Sequence, residues 1–467
     1  MIDLKQSTYK GDVELLDPGR ACIILCSSMM KNYRTLWAVV FSTCYALNTQ
    51  ADWKQWRGPA GQGHAEGKIP TEWSETQNIS WKTPVPGKGW SSPVIEGNQI
   101  WLTAAHEIKA SEEEKEERLK SNTGGQPVVV LSSVKLHAVC IDKDSGKLLH
   151  DFEIIHKKNP QWTHKLNSYA SPTPVIEGGK LYCHFGSYGT ACVDTRTTKV
   201  IWRNQDLYVH HENGPGSTPI IWDEKLIFHM DGSDQQYVVA LNKKDGGVAW
   251  RTDRTGEMNP NPQLKKSYGT PLILDTNGRP VLYSPAADWL YTYDPNTGKE
   301  LNKLNYGMLG FSIVPRPVAG HGLIYVITSF MRPQLLAIDY LSSNKPSIKW
   351  KWNRGVSNQP SAILVGDEIY FVSDSAGMVT CLDAHTGKEH WRERIGGNYS
   401  ASPLQSNGRV YFHSREGKTT VIEAGKEFKV VSKNQLDGQL MASAAVDGQA
   451  LFLRSDKSLY RIERKRD

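Results

Sequence analysis

One phrase of about 45 residues returns eight times along this chain, and it restricts the fold more than any other feature. From Ser361 to Trp391 it reads SAILVGDEIYFVSDSAGMVTCLDAHTGKEHW. Earlier copies include SPVIEGNQIWLT, TPVIEGGKLYCHFGSYGTACVDTRTTKVIW and TPLILDTNGRPVLYSPAADWLYTYDPNTGKEL. The copies are anchored at Pro93, Pro174, Pro219, Pro271, Pro317, Ala362, Pro403 and Ala444. The steps between anchors are 81, 45, 52, 46, 45, 41 and 41 residues, so the first copy carries an insertion. A period of this size marks one supersecondary unit used repeatedly.

Each copy holds four short apolar runs separated by Gly, Asn and Asp turns, which is the pattern of four antiparallel strands joined by hairpins. Eight such units predict an all-β fold, an eight-bladed β-propeller of four-stranded antiparallel blades. The eighth copy stops near Arg464 after three strands. Its missing outer strand stands before the first copy, as NISWKT with Trp81. Residues 72–84 are therefore expected to close the last blade, leaving no open edge between first and last. The chain divides into residues 1–51 (a start and export signal), 52–71 (an extended Trp/Gly/Pro-rich segment) and 72–467 (the propeller).

Composition narrows the function. The net charge of +6 is spread with mixed signs and forms no basic stripe, which argues against nucleic-acid binding. Lys31 and Arg34 precede the apolar run Leu36–Leu47, and Thr49-Gln50-Ala51 supplies small residues at a cleavage site. This reads as a secretory signal begun at Met29 or Met30, with residues 1–28 an over-extended start. The apolar run is too short to favour a membrane span. The expected location is the periplasm or outer cell envelope. Cys44 follows Phe-Ser-Thr, a poor match to a lipidation motif.

Cys22, Cys26 and Cys44 lie in the presumed leader, and Cys140, Cys183, Cys192 and Cys381 in the repeats. Cys183 and Cys192 flank a GSYG turn. A four-residue loop would set them opposite one another and allow a disulfide; a register shifted by one would send them to opposite faces. Cys140 and Cys381 read as buried thiols. The run ASEEEKEERLKSNTGG in the first copy has good helix formers but no apolar stripe, and reads as a solvated excursion.

LDAHTGKEHW, CIDKDSGKLL, YDPNTGKEL and VDTRTTKVIW resemble the repeat of the pyrroloquinoline quinone (PQQ)-like propeller family, over roughly Asp52 to Arg464. WKQWRGPAGQG, HHENGPGSTPI, GFSIVPRPVAGHG and GGNYSASPL resemble phrases of a large group of exported bacterial members. The outer-strand Trp81, Trp202, Trp250, Trp350 and Trp391 are expected to insert between neighbouring blades. Leu149, Leu301 and Phe428 stand near that place in the other three copies. The superfamily includes quinoprotein dehydrogenases and the propeller lipoprotein of the outer-membrane β-barrel assembly machinery.

In the enzymes the resemblance implies a cofactor clamp: a vicinal disulfide, a Trp platform, a metal with oxygen ligands and an Asp base. This chain has no adjacent cysteine pair and no CxxCH haem motif. The expectation is a monomeric, non-catalytic binding or scaffold propeller of the bacterial cell envelope, without cofactor or metal. Its ligands would be proteins or peptides of the envelope, with a small molecule or glycan as further classes. The alternative is a PQQ-dependent alcohol or sugar dehydrogenase using PQQ and calcium. His210-His211 reads as a loop pair, with no second ligand cluster near it in sequence.

The binding face follows from the topology. Loops leading into the first strand of each blade share a face with the loops joining second and third strands. The first set carries Trp90, Tyr169, Asn213, Tyr268, Arg316 and Tyr399; the second carries Asp231, Asp234, Asp288, Arg332 and Arg415. Aromatics beside charges at one mouth suit ligand binding.

Overall fold

A computed structural model describes residues 52–122, 125–341 and 345–464; the leader reading and its three cysteines lie outside the described residues. Eight four-stranded antiparallel blades form the body. Their innermost strands begin at Val94, Val175, Ile220, Leu272, Val318, Ile363, Leu404 and Ala445. Alternation along the strands sends apolar side chains to both faces, and these pack between adjacent blades. One cluster joins Cys192, Trp202, Phe228 and Val239 across the second and third blades. Another joins Tyr370, Trp391, Val410 and Phe412 across the sixth and seventh.

The last blade is closed by the chain's own beginning. Strand Ile79–Pro84 pairs antiparallel with Ser458–Ile462, with Trp81 opposite Arg461 and Pro84 opposite Ser458. The strand is shorter than residues 72–84, because Glu72 to Asn78 form a turn held by paired Ser74 and Gln77.

The blades are riveted by the outer-strand tryptophans. The indole N–H of Trp81 donates to the Lys143 carbonyl at 3.0 Å, and that of Trp202 to Lys243 at 2.9 Å. Trp250 donates to Pro295 at 3.1 Å, Trp350 to Ala384 at 3.0 Å and Trp391 to Gly425 at 3.0 Å. Each acceptor belongs to the third-to-fourth strand turn of the next blade. Four of the rings press on a turn glycine: a Cβ on Gly146, Gly246, Gly298 or Gly387 would stand 2.4–2.7 Å from the indole. Those glycines also sit at φ 72–76°, where a side chain would be strained. In the Asp-x-x-Thr-Gly-Lys turn, Asp383 Oδ1 accepts from the Thr386 N–H and hydroxyl, both at 2.8 Å.

Three copies depart from the expected alignment. A bulge interrupts pairing beside each docking position, for example between Cys192 and Val193. Pairing therefore places His150, Asn302 and Ser432, not Leu149, Leu301 and Phe428, opposite the Cys192-type position. Leu149 and Leu301 face solvent at 37% and 43% exposure. Phe428 precedes its strand and packs on Trp391 with ring centroids 5.0 Å apart. At these three blades the docking position carries His, Asn or Ser in place of Trp.

The cysteine pairing also differs from the expectation. A 3-10 turn at Gly186–Tyr188 makes the loop one residue longer, so Cys183 lies opposite Ala191 and Cys192 opposite Tyr182. The two side chains point into different inter-blade cores and form no disulfide. Cys140 and Cys381 are buried thiols.

The first blade is elongated. Its strands Gln99–Lys109, Leu131–Asp142 and Leu148–Lys158 run eleven or twelve residues, and a helix, Glu112–Leu119, sits in the insertion with no buried residue. Ser111 caps it by accepting from the Glu114 N–H at 3.2 Å. Arg118 ties it down through the Leu131 carbonyl at 2.7 Å.

The segment before the closing strand threads the channel. The Trp53 and Lys54 carbonyls accept from Ile95 and Ile176 on the first and second innermost strands. Gln62 accepts from the Ala319 N–H, and His64 contacts the Leu364 carbonyl at 2.6 Å. His64–Ala65 then adds a parallel strand to Leu404–Ser406. The segment is an internal plug, more deeply engaged than a surface strap.

Candidate functional site at the mouth of the channel

The residue before each first-strand anchor builds a ring around the axis. The Ser92 N–H donates to Thr173 Oγ1 at 2.9 Å, Thr173 to Thr218 at 3.1 Å, and Thr218 to Thr270 at 3.1 Å. The series resumes with Arg316 to Ser361 at 2.9 Å, Ser361 to Ser402 at 3.0 Å, Ser402 to Ser443 at 3.0 Å, and Ser443 back to Ser92 at 3.1 Å. Seven blades contribute a hydroxyl, and the fifth contributes Arg316 in its place.

Above this ring opens a cavity of about 680 Å³. All eight lead-in loops reach it, through residues such as Trp90, Ser171, Asn213, Tyr268, Phe311, Gln359, Ser400 and Met441. Trp56 from the plug also lines it, as does Phe330 from the fifth blade. Indole, phenyl and aliphatic surface makes up much of the wall, and amides and hydroxyls from residues such as Gln126, Asn167, Asn213 and Gln359 are interspersed with it. The lining residues include Lys266 and His164 but no carboxylate.

The anticipated residues divide. Trp90, Asn213 and Tyr268 line the cavity. Tyr268 is anchored by its hydroxyl, which donates to the His211 carbonyl at 2.5 Å and accepts from Asn213 Nδ2 at 3.2 Å. Arg415 stands at the rim, with Nε donating to Ser400 Oγ at 2.8 Å and Nη2 to Gln359 Oε1 at 3.2 Å. Tyr169 and Tyr399 are fully buried, their hydroxyls spent on the Gln161 and Gly396 carbonyls at 2.8 and 2.9 Å. Asp231 is locked with Arg254 in a fully buried ion pair at 2.8 Å. Asp234 accepts from the His210 N–H at 2.7 Å at the surface. Asp288 occupies a turn at φ 63°, and burial pushes its carboxyl up to about 6. Arg332 is exposed beside a separate hollow of about 310 Å³ with Asn353 and Val356. Arg316 is buried and does not line the cavity; its backbone N–H belongs to the ring below it.

Sequence reasoning missed Trp56, Lys266, Phe330 and Met441. Lys266 is 2% exposed, and its Nζ donates to Gln263 Oε1 at 2.6 Å. Burial pushes the ammonium down to about 8, against the pull of Glu212. The penalty is constant while the amine is charged in both states and is relieved as pH rises from about 8 to 10.5. Lys266→Met should therefore raise stability at pH 7 by roughly 2 kcal/mol, with the gain fading between pH 8 and 10.5. Chemical denaturation of both proteins across that range checks it; a gain that grows with pH would contradict the assignment.

Two histidine–carboxylate groups lie away from the mouth. His106, His137 and Asp151 meet on the first blade, and His321, Asp367 and His385 on the opposite face. His210 belongs to neither group; its Nδ1 pairs with Glu212 at 2.8 Å.

Fold and site together define an eight-bladed β-propeller with docked tryptophans, a plugged channel and one aromatic mouth. The chain belongs to the PQQ-like β-propeller family: the family model described as outer membrane protein assembly factor BamB matches residues 71–252, 137–393 and 286–459. A search of curated proteins found no match. Among solved structures, BamB from Moraxella catarrhalis is similar at 14% identity and a TM-score of 0.51, covering 72% of this chain and 99% of that one. The quinohemoprotein alcohol dehydrogenase from Comamonas testosteroni is similar at 9% identity and 0.57, covering 89% and 81%. The computationally designed Ika8 protein is similar at 10% identity and 0.54, covering 83% and 100%. At these identities the likeness establishes the fold, and function has to be argued from the site. Among the described residues no helix is long and apolar enough to cross a membrane.

Proposed function

We propose that this protein is a non-catalytic binding propeller of the bacterial cell envelope, which seats apolar or aromatic side chains of a protein or peptide partner in its mouth. The carrying observation is the composition of the 680 Å³ cavity, aromatic and amide-lined, reached by every blade. Trp90, Phe311, Phe330 and Met441 offer the kind of surface that serves as a hot spot. On the opposite face, five of the eight third-to-fourth strand turns are engaged by a docked tryptophan.

The quinoprotein alternative fits these residues poorly. A calcium-held cofactor needs oxygen donors and a carboxylate base, and the lining supplies no carboxylate. Cys140, Cys183, Cys192 and Cys381 are all unpaired, and none is adjacent to another. Binding of PQQ with calcium at micromolar affinity or better, about −8 kcal/mol, would turn the reading toward the dehydrogenases.

The direct test places a photo-crosslinking amino acid at Phe330 in the mouth and, separately, at Lys388 in an opposite turn. Envelope fractions are then irradiated. A discrete product from Phe330 alone, weakened at least tenfold in affinity by Trp90→Ala, supports the reading. A product only from Lys388 assigns the wrong face.

A further inference from the structure

Two arginines are buried beside the inner strands of the fifth and sixth blades with no counter-charge. Arg57 is 2% exposed and Arg316 4% exposed. Among the described residues, neither forms an ion pair with a carboxylate. Arg57 Nη2 donates to the carbonyls of Gln62 and Ala362 at 2.9 and 2.8 Å. Arg316 Nη1 reaches the Trp56 carbonyl at 3.3 Å. Arg57 Nε and Nη1 and Arg316 Nε are buried with no hydrogen-bond partner. Burial, together with the charge of Arg316, pushes Arg57 down to about 9, so it remains a cation at neutral pH.

The surroundings are built to hold both groups. A Cβ on Gly61 would stand 2.0 Å from Arg316 Nη1, and one on Gly63 2.9 Å from Arg57 Nη2, so one glycine turn carries both guanidinium groups. Arg57 itself sits at φ 66°, a strained value for a non-glycine residue and one that persists only when its surroundings impose it. Arg316 stands where seven other blades place a ring hydroxyl. Leaving two like charges buried against one glycine turn and short of acceptors is costly unless an anion joins them.

We infer that Arg57 and Arg316 hold a small inorganic anion, a halide or compact oxyanion, between the plug and the inner strands of the fifth and sixth blades. The planar forks of the two groups suit such a ligand, and their unspent N–H groups supply the donors. The anion would tie the plug to the ring at the one position where the hydroxyl series is interrupted.

The test uses the whole protein and bromide. At constant ionic strength, replacing gluconate with bromide or sulfate should raise the melting temperature by a few degrees along a saturable curve. Arg316→Ser restores the missing hydroxyl and should fold, yet lose that dependence. Crystals grown in bromide should show an anomalous peak within hydrogen-bonding reach of both guanidinium groups. A peak that touches one arginine or neither overturns the inference, whatever the variant does. An identical salt response in Arg316→Ser overturns it as well.

Discussion

Deleting residues 72–84 should leave a protein that fails to fold or aggregates, and Trp81→Ala should cost about 3 kcal/mol, the low end for a truncated aromatic because the ring is only partly buried. The deletion strips the outer strand from the last blade and exposes the Ser458–Ile462 edge. It also removes Trp73, which is 3% exposed and whose backbone N–H donates to Asn434 Oδ1 at 2.8 Å. Trp81→Ala loses the bond to Lys143 and the packing on Phe452, ring centroids 6.0 Å apart. Urea titration of the variant and thermal unfolding of the deletion check both. A deleted protein that melts with its parent would mean the ring is held elsewhere.

The second large effect is acid unfolding driven by histidine. His184, His211, His229 and His413 are buried as neutral rings. Burial pushes His184 and His413 to about 3 and His211 to about 4, and holds His229 well below its ordinary value. Their hydrogen bonds suit the neutral form: His211 Nε2 accepts from the Ser187 N–H at 2.9 Å, and His184 and His413 each meet a cross-strand threonine hydroxyl at 2.8 and 2.9 Å. The unfolded chain protonates these histidines near 6.5 and the folded one does not. Stability is therefore complete above pH 6.5 and falls as pH drops toward 3–4. Buried carboxyls such as Asp288, held at about 6, take up protons in the folded state and offset part of the loss. The net is on the order of 3 kcal/mol per pH unit, so two units consume most of a domain's stability. Urea midpoints at pH 7, 6 and 5 should fall steeply, and less steeply in His413→Gln. A flat profile would refute the account.

Much of this architecture is written in the repeat. The eight anchors, the Trp-bearing outer strands and the orphan strand at Trp81 all follow from alternation and spacing, because a blade is a local object. What escaped was one-residue register. The bulge that moves docking from Leu149 to His150, and the longer turn that parts Cys183 from Cys192, are backbone details that side-chain pattern does not encode. The site was partly legible for a similar reason. Lead-in loops converge by topology, so Trp90, Asn213 and Tyr268 could be placed there. Whether a tyrosine ends in the mouth or in a core depends on packing, and Tyr169 and Tyr399 went inward. The Ser/Thr before seven of the eight anchors was visible in the sequence, and Arg316 as its single departure could have been found there.

The threaded plug has a consequence for how the molecule is made. Trp56 donates to Ser443 Oγ across 387 residues of chain, and the closing strand waits for Ser458–Ile462 to exist. Contacts of such span are slow to form, since the loop entropy is lost before they contribute. Synthesis delivers residues 79–84 long before their partner strand, so this closing strand stays unpaired until Ser458–Ile462 arrives. In the interval the growing arc presents two raw blade edges. The rate at which this protein becomes protease-resistant should accordingly be set by the arrival of its final forty residues or so, the length of one blade.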